Sequence, residues 1–343
     1  MTEFTSKRVS ADPDGPALLL RRSALSALGF LAIAIVGALL IPTTRGMPWM
    51  TSRLVFMQDL WLGLGLLAIA IAALFVSPLP LRLGALSRRG VLLIAVMVLC
   101  VTYAGRYLVL ENFDLVRDEQ LVGFDAWIYG QGKLTWPLPD HWRAHADALS
   151  VVFMYPVPNP VAWVSSYLPG NALLHAAVGT FADPALTNPL LAAGAAALLW
   201  SCARKLWPGD AEAGTVSLLV LVLSGQFLVA AMSTWAMTAH LFFSLLWLRL
   251  FLCDRRGTDL AAIACGAFAT GLHQPLFHPM FVAPFLLLLL VERRWTRLAL
   301  FALPYLAIGL FWLSWPGMIQ PLVTGPAPTT TVAVPTAGFM ERL

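Results

Sequence analysis

Charge is what this 343-residue chain has least of: 12% of its residues are Asp, Glu, Lys or Arg, against 59% that are hydrophobic. A soluble domain carries about twice that charged fraction, which excludes a water-exposed surface of ordinary composition. Alternation is missing as well. The apolar runs are continuous, and lipid offers the backbone no hydrogen-bond partner, so such runs close their bonds internally as helices rather than as barrel strands. The four cysteines, Cys100, Cys202, Cys253 and Cys265, stand at scattered spacing within or beside apolar segments. They suggest neither a disulfide framework nor a zinc site. There is no Gly-rich phosphate loop, G-x-S-x-G elbow or kinase motif set. Nor is there a matched pair of Gly/Pro-broken spans of the kind inverted-repeat transporters carry.

What the chain does have is a mean hydropathy of +0.77 and a pI near 9.0. The net charge of +4 comes from small basic clusters at the ends of apolar runs, a placement that reads as membrane orientation. No nucleic-acid partner is expected. The N-terminal stretch MTEFTSKRVSADPDGPALLLRR is polar at its start, and the apolar run behind it has no A-x-A-like cleavage site, so that run is read as a retained span.

A bilayer span takes roughly 17–25 mainly apolar residues. Nine candidates occur, several of them short: 23–42, 55–77, 91–110, 187–203, 213–231, 235–252, 258–272, 276–291 and 297–315. The expected fold class is all-α, a polytopic helical membrane protein of about nine transmembrane helices. Segment 1–22 is expected in the cytoplasm, 23–315 in and across the membrane, and 316–343 as an external tail. That tail stops at GFMERL with no recognisable domain behind it, which fits either a short chain or an incomplete one. Lys7, Arg8, Arg21 and Arg22 precede the first run, and Arg82, Arg88 and Arg89 fill the second connection. Arg204 and Lys205 follow the fourth run, Arg249, Arg255 and Arg256 the sixth, and Arg293, Arg294 and Arg297 the eighth. Threaded in order, all fall on one side, which places the N-terminus in the cytoplasm and the long connection 111–186 outside.

That connection holds ENFDLVRDEQLVGFDAWIYGQGKLTW, whose pattern predicts an amphipathic helix from about Asp118 to about Gly132. Leu121, Phe124 and Ile128 recur at helical spacing, and Trp127 and Tyr129 are ring types that favour a membrane interface. The helix is expected to lie flat on the bilayer. Asp118 and Glu119 then stand at its N-terminus, where the dipole favours negative charge. They read either as first-turn capping acids or as a catalytic pair, one taking a proton from an acceptor hydroxyl while its neighbour orients or binds. A leaving phosphate needs cations, and Arg106, Arg117, Lys133 and Arg143 are at hand. Arg106 lies about one turn from the end of its run. It either snorkels to the surface or pairs with the phosphate, Glu111 or Asp118.

The segment DEQLVGFDAWIYGQGKL, an Asp-Glu pair followed by a helix of about a dozen residues and Gly-x-Leu, resembles the first external loop of the GT-C membrane glycosyltransferases. The likeness is to the protein mannosyltransferase and aminoarabinose transferase branch. SSYLPGNALLHAAVGTFADPALTNPLLAAGAAALLWSCARKLW resembles the same branch, and the similarity covers roughly 91–315. The resemblance implies a polyprenyl-phosphate sugar as donor, a lipid, glycan or protein acceptor, membrane lipid as a partner, and an address in a bacterial inner or plasma membrane. It gives the base's role to Asp118, with Glu119 as companion. Two features depart from the branch: Tyr167-Leu168-Pro169-Gly170 lacks the usual basic residue, and three runs rather than one precede the acidic loop.

Asp125, Tyr167, His273 and His278 are the candidates for contacting acceptor or sugar. His273 and His278 are five apart and miss the i, i+4 zinc spacing. His141, Arg143, His145 and Asp147 crowd DHWRAHAD, read as a solvated segment before a metal cluster. Trp136, Trp142, Trp163, Tyr155 and Tyr167 suit either sugar stacking or an interface belt. His240 and His175 read as packed residues, though intramembrane histidines are also found at functional sites. No cofactor is expected, and a divalent metal stays open. The reading that rivals a transferase is a transporter, flippase-like protein or scaffold without catalysis.

Overall fold

The structure, a computed structural model, describes residues 15–40, 60–75, 83–146 and 152–326. They divide into two compact units, 1–82 and 83–343. In the first, α1 (Gly15–Leu40) packs on α2 (Leu60–Phe75), with Ala24 and Ala70 between them and Arg21 and Arg22 exposed. α1 begins at Gly15, not at 23 as expected. The parts of the first two candidate spans at 41–42, 55–59 and 76–77 lie outside the described residues.

Every candidate span of the second unit becomes helical. These are α3 (Arg88–Leu108), α6 (Thr187–Leu206), α7 (Ala213–Val222) with α8 (Gly225–Met232), α9 (Ala236–Phe251), α10 (Arg256–Thr270), α11 (Phe277–Val291) and α12 (Trp295–Val323). α4 (Arg117–Gly130) and α5 (Gly170–Gly179) lie in the long connection. The expected count of about nine membrane-crossing helices is corrected. Among the described residues α3, α6 and α12 are long and apolar enough to cross a membrane, and a fourth crossing is possible if α7 and α8, bent by 60°, form one span. The reason is length. α9, α10 and α11 have 16, 15 and 15 residues, a rise of about 22–24 Å against a hydrocarbon core of about 30 Å. The α7–α8 run breaks because Ser224 caps a new helix, accepting from the Phe227 N–H at 3.3 Å.

Small residues set how closely these helices approach, as apolar helices need when lipid is as apolar as leucine. α6 packs on α3, α7 and α9 through Ala192, Ala195 and Ala196, all 0% exposed. A Cβ on Gly194 would stand 2.5 Å from the Phe242 ring. Around α9, α10, α11 and α12 the filling is aromatic: Trp247 is fully buried among Phe251, Phe281, Phe285 and Phe301. At the base of this cluster the Arg297 guanidinium meets Asp259 at 2.6 Å and Asp254 at 2.9 Å, and lies 4.2 Å over the Phe251 ring.

The expected tail from 316 is corrected too: α12 continues to Val323. Its last turns pack on the long connection, with Ile319 and Val323 against Ala162 and Val164. The Tyr155 hydroxyl donates to the Pro316 carbonyl at 2.6 Å, and the Val161 N–H to that of Val323 at 2.8 Å. Residues 327–343 lie outside the described residues. Within the connection, β1 (Trp136–Pro137) pairs antiparallel with β2 (Ala162–Trp163), Trp136 opposite Trp163.

Candidate functional site

Four segments converge at one end of the helices, and backbone contacts fix them. Residues 168–171 dock on 271–273: the Leu168 N–H donates to the His273 carbonyl at 3.1 Å, Gly170 to Gly271 at 2.8 Å, and Asn171 to Leu272 at 3.1 Å. Only glycine allows this approach, since a Cβ on Gly170 would sit 2.6 Å from the Gly271 oxygen. The docking lays the Tyr167 ring on His273, centroids 4.3 Å apart. The third segment, Ser233–Trp235 between α8 and α9, is held by two amides. Asn171 donates to the Thr234 carbonyl at 2.9 Å, and Asn188 to those of Ser233 and Trp235 at 2.7 and 2.9 Å.

α4 supplies the acids. At about 100° per residue, Asp118, Val122, Asp125 and Tyr129 form one stripe, which faces the cleft and α5. Leu121 and Ile128 are buried at its flank, while Phe124 turns outward to stack near Trp127, centroids 6.5 Å apart. Asp118 is half-buried. Its carboxylate stands beside the Tyr167 hydroxyl, where burial and then this neighbouring charge push the phenol's proton affinity up. Tyr167 therefore keeps its proton beside Asp118. Across the ring stack, burial lowers the proton affinity of His273, and Asp118 only partly restores it.

Asp125 is 2% exposed and accepts twice from Ser165, from its N–H at 3.1 Å and from its hydroxyl. Burial pushes its carboxyl up to about 6 although both Ser165 bonds pull it down. Ser165 Oγ in turn accepts from the Tyr167 N–H at 3.2 Å, so Asp125 holds the backbone that presents Tyr167.

Glu119 parts from its neighbour. It is fully buried, and one carboxylate oxygen accepts the Leu115 N–H, ahead of the helix. This is capping in the sense of a helix-start acid reaching back to a free backbone donor. Burial raises its carboxyl's proton affinity, and Oε1 has no partner among the described residues. The two adjacent acids thus stand in different surroundings, Asp118 beside Tyr167 and Glu119 against the Leu115 N–H and the Thr234 backbone.

Of the four cations, three are committed elsewhere. Arg106, 6% exposed, pairs with Asp114 at 2.8 Å and donates to Asn112 and the Phe113 carbonyl, clamping the turn in which Glu111 and Asn112 take positive φ. It pairs with neither Glu111 nor Asp118. Lys133 lies 4.2 Å over the Trp136 ring. Arg143 meets Asp140 at 2.8 Å on an exposed turn. Arg117, exposed and next to Asp118, makes no ion pair among the described residues.

His278 is placed apart from the cleft: it is 1% exposed in the aromatic core, its Nε2 2.9 Å from the Tyr305 hydroxyl. His175 is buried with Nδ1 against the Pro184 carbonyl at 3.1 Å, and burial lowers it to about 4. His240 sits beside Phe277. His141, Arg143 and His145 are exposed, Asp147 lies outside the described residues, and no group of three metal-type ligands occurs among the described residues. Trp127, 48% exposed, packs on Trp136 at 4.3 Å, on the opposite side of α4 from Asp118 and Asp125.

Ser165 and Asn171 escape a reading by motif, since neither stands at a spacing that marks a site. Compared with known proteins, the chain matches no family model, no curated protein and no solved structure.

Proposed function

We propose that the chain is a membrane glycosyltransferase of the GT-C type, moving a sugar from a polyprenyl phosphate to an acceptor hydroxyl on the non-cytoplasmic face. The observation that carries the proposal is the position of Asp118: a half-open carboxylate beside the Tyr167 phenol and the Tyr167–His273 stack, at a helix start. An open carboxylate with a donor at its back is suited to accept a proton from a bound hydroxyl.

Sidedness supports the same reading. Arg88 and Arg89 open α3, Arg204 and Lys205 close α6, and Arg255, Arg256, Arg293 and Arg294 flank the α9–α10 and α11–α12 turns. The cleft is built from the opposite ends of those same helices. With the basic ends in the cytoplasm, the cleft opens outside, in the plasma membrane of a bacterium.

In the reaction, Asp118 takes the proton of the acceptor hydroxyl as its oxygen bonds to the anomeric carbon, and the carbon–oxygen bond to phosphate breaks. A single displacement inverts that carbon. Arg117 is the cation placed to meet the leaving phosphate, and Glu119 keeps the start of α4 in register without touching the substrate. The test is sugar transfer from a radiolabelled panel of polyprenyl-phosphate hexoses and pentoses by the parent, Asp118→Asn and Glu119→Gln. Asp118→Asn is expected to lower turnover about 100-fold or more, with Glu119→Gln near the parent. Equal turnover in the parent and Asp118→Asn would sink the assignment.

A further inference from the structure

Below Tyr167 and His273 the cleft narrows to a pocket that Asp125, Ser165, Asn171 and Leu272 also line. The volume open to the centre of a water-sized group is about 10 Å³, room for one water or one hydroxyl. Of its fully buried polar side chains, Asp125 is engaged with Ser165, and Ser165 with Asp125 and the Tyr167 N–H. Asn171 is the exception. The residue is 2% exposed, its Nδ2 donates to the Thr234 carbonyl at 2.9 Å, and its Oδ1 is buried with no partner among the described residues. Turning the amide over does not relieve this, because it would set Oδ1 against the Thr234 oxygen, two acceptors face to face. A buried acceptor left bare destabilises the state that contains it, and the residue that carries it lines this pocket together with Tyr167, the neighbour of the acid assigned as base.

We infer that Asn171 Oδ1 is a specificity contact that accepts a hydrogen bond from one hydroxyl of the substrate inserted into this pocket. The inference rests on the transferase reading and deepens it. The group recognised is a hydrogen-bond donor of hydroxyl size, so a substrate lacking that hydroxyl leaves the acceptor unpaired again. Discrimination of this kind is steep: a site built for a hydroxyl rejects the analogue without it far more strongly than an apolar pocket rejects a missing methylene. The hydroxyl can belong to the donor sugar or to the acceptor.

The experiment takes the full chain in lipid nanodiscs and the donor that turns over in the assay above. It measures kcat/KM for that donor, for each of its monodeoxy analogues, and for monodeoxy analogues of the acceptor. The expected result is that one analogue loses tenfold or more with the parent, and whether it belongs to the donor or acceptor series identifies the source. Asn171→Leu should lose tenfold or more with the full substrate, yet treat that analogue within about threefold of it. The deoxy series on the parent needs no substitution, so the result stands even if Asn171→Leu folds poorly. The inference is overturned if no analogue in either series loses more than twofold with the parent, as expected if only a water pairs with Oδ1. It is equally overturned if Asn171→Leu keeps the parent's ranking. Absence of turnover with every donor overturns the transferase reading itself, and this inference with it.

Discussion

Replacing Asp125 with Asn separates one buried acid from all the others by its pH signature. The carboxyl is 2% exposed, and burial lifts its pKa from 3.8 to about 6. Each tenfold change in proton affinity is worth about 1.4 kcal/mol, so complete ionisation makes the folded state about 3 kcal/mol less stable than when Asp125 is protonated. The sign follows from the folded pKa lying above the unfolded one. The native state holds the proton more tightly, so the stability it confers is complete below about pH 3.8 and is lost as pH rises through about 6. Between pH 4 and pH 8 the swing is about 2 kcal/mol, or about 3 °C in Tm for a chain of 343 residues. Asn keeps a carbonyl for the Ser165 N–H and an amide that can donate to its hydroxyl, while removing the charge. Thermal unfolding of parent and Asp125→Asn in one detergent at pH 4, 5, 6, 7 and 8 is the assay. Other titrating groups, including Glu119, whose carboxyl burial also raises, occur in both proteins and cancel in the difference. The parent's Tm relative to that of Asp125→Asn should fall with rising pH, most steeply near pH 5, between the unfolded and folded values, and level off above about pH 7. A flat difference, or one that rises with pH, would refute the argument that Asp125 is ionised against the resistance of its surroundings.

Two further tests concern packing. Gly170→Ala places a methyl 2.6 Å from the Gly271 oxygen, and overpacking of this kind costs about 1–3 kcal/mol; it should lower Tm and weaken transfer by parting Tyr167 from His273. Gly123→Ala, on the same cap but with nothing within 4 Å, should gain about 0.5–1 kcal/mol from the helix preference alone, and a matching loss in both would show that the Gly170 contact is not the cause. Arg297→Met leaves Asp259, 4% exposed, without its partner, a loss of about 3–5 kcal/mol visible in detergent unfolding. A Tm within a degree of the parent would show that the ion pair contributes little.

The position of each helix in the second unit was legible because an apolar run bounded by charge has one reading in a chain this poor in polar residues. Span count was less so. Composition does not register that α9, α10 and α11 stop after 15 or 16 residues, or that Ser224 restarts a helix inside an apolar run. α12 outruns its apolar run because Pro316 and Pro321 lie within the helix and the last turns are held by Tyr155 and Val161 from far along the chain. Tyr167 and His273 were each visible as candidates. Their meeting was not, since it depends on Gly170 allowing backbone to touch backbone.

The acids show most clearly where sequence proximity misleads. Asp118 and Glu119 are neighbours, and neighbours on a helix point about 100° apart; here Asp118 stands beside Tyr167 while Glu119 is buried against the Leu115 N–H. The acids that share a face are seven apart, Asp118 and Asp125. The spacing of Leu121, Phe124 and Ile128 suggests an apolar face on the bilayer and carries no sign that the stripe through Asp118 and Asp125 packs inward. The interior of a polar cap over apolar helices is where hydroxyls, amides and carboxylates can satisfy one another. Two carboxylates in contrasting surroundings tend toward different roles. Here the half-open one stands beside a phenol, while the buried one, held by Ser165 on both oxygens, fixes the backbone that presents that phenol.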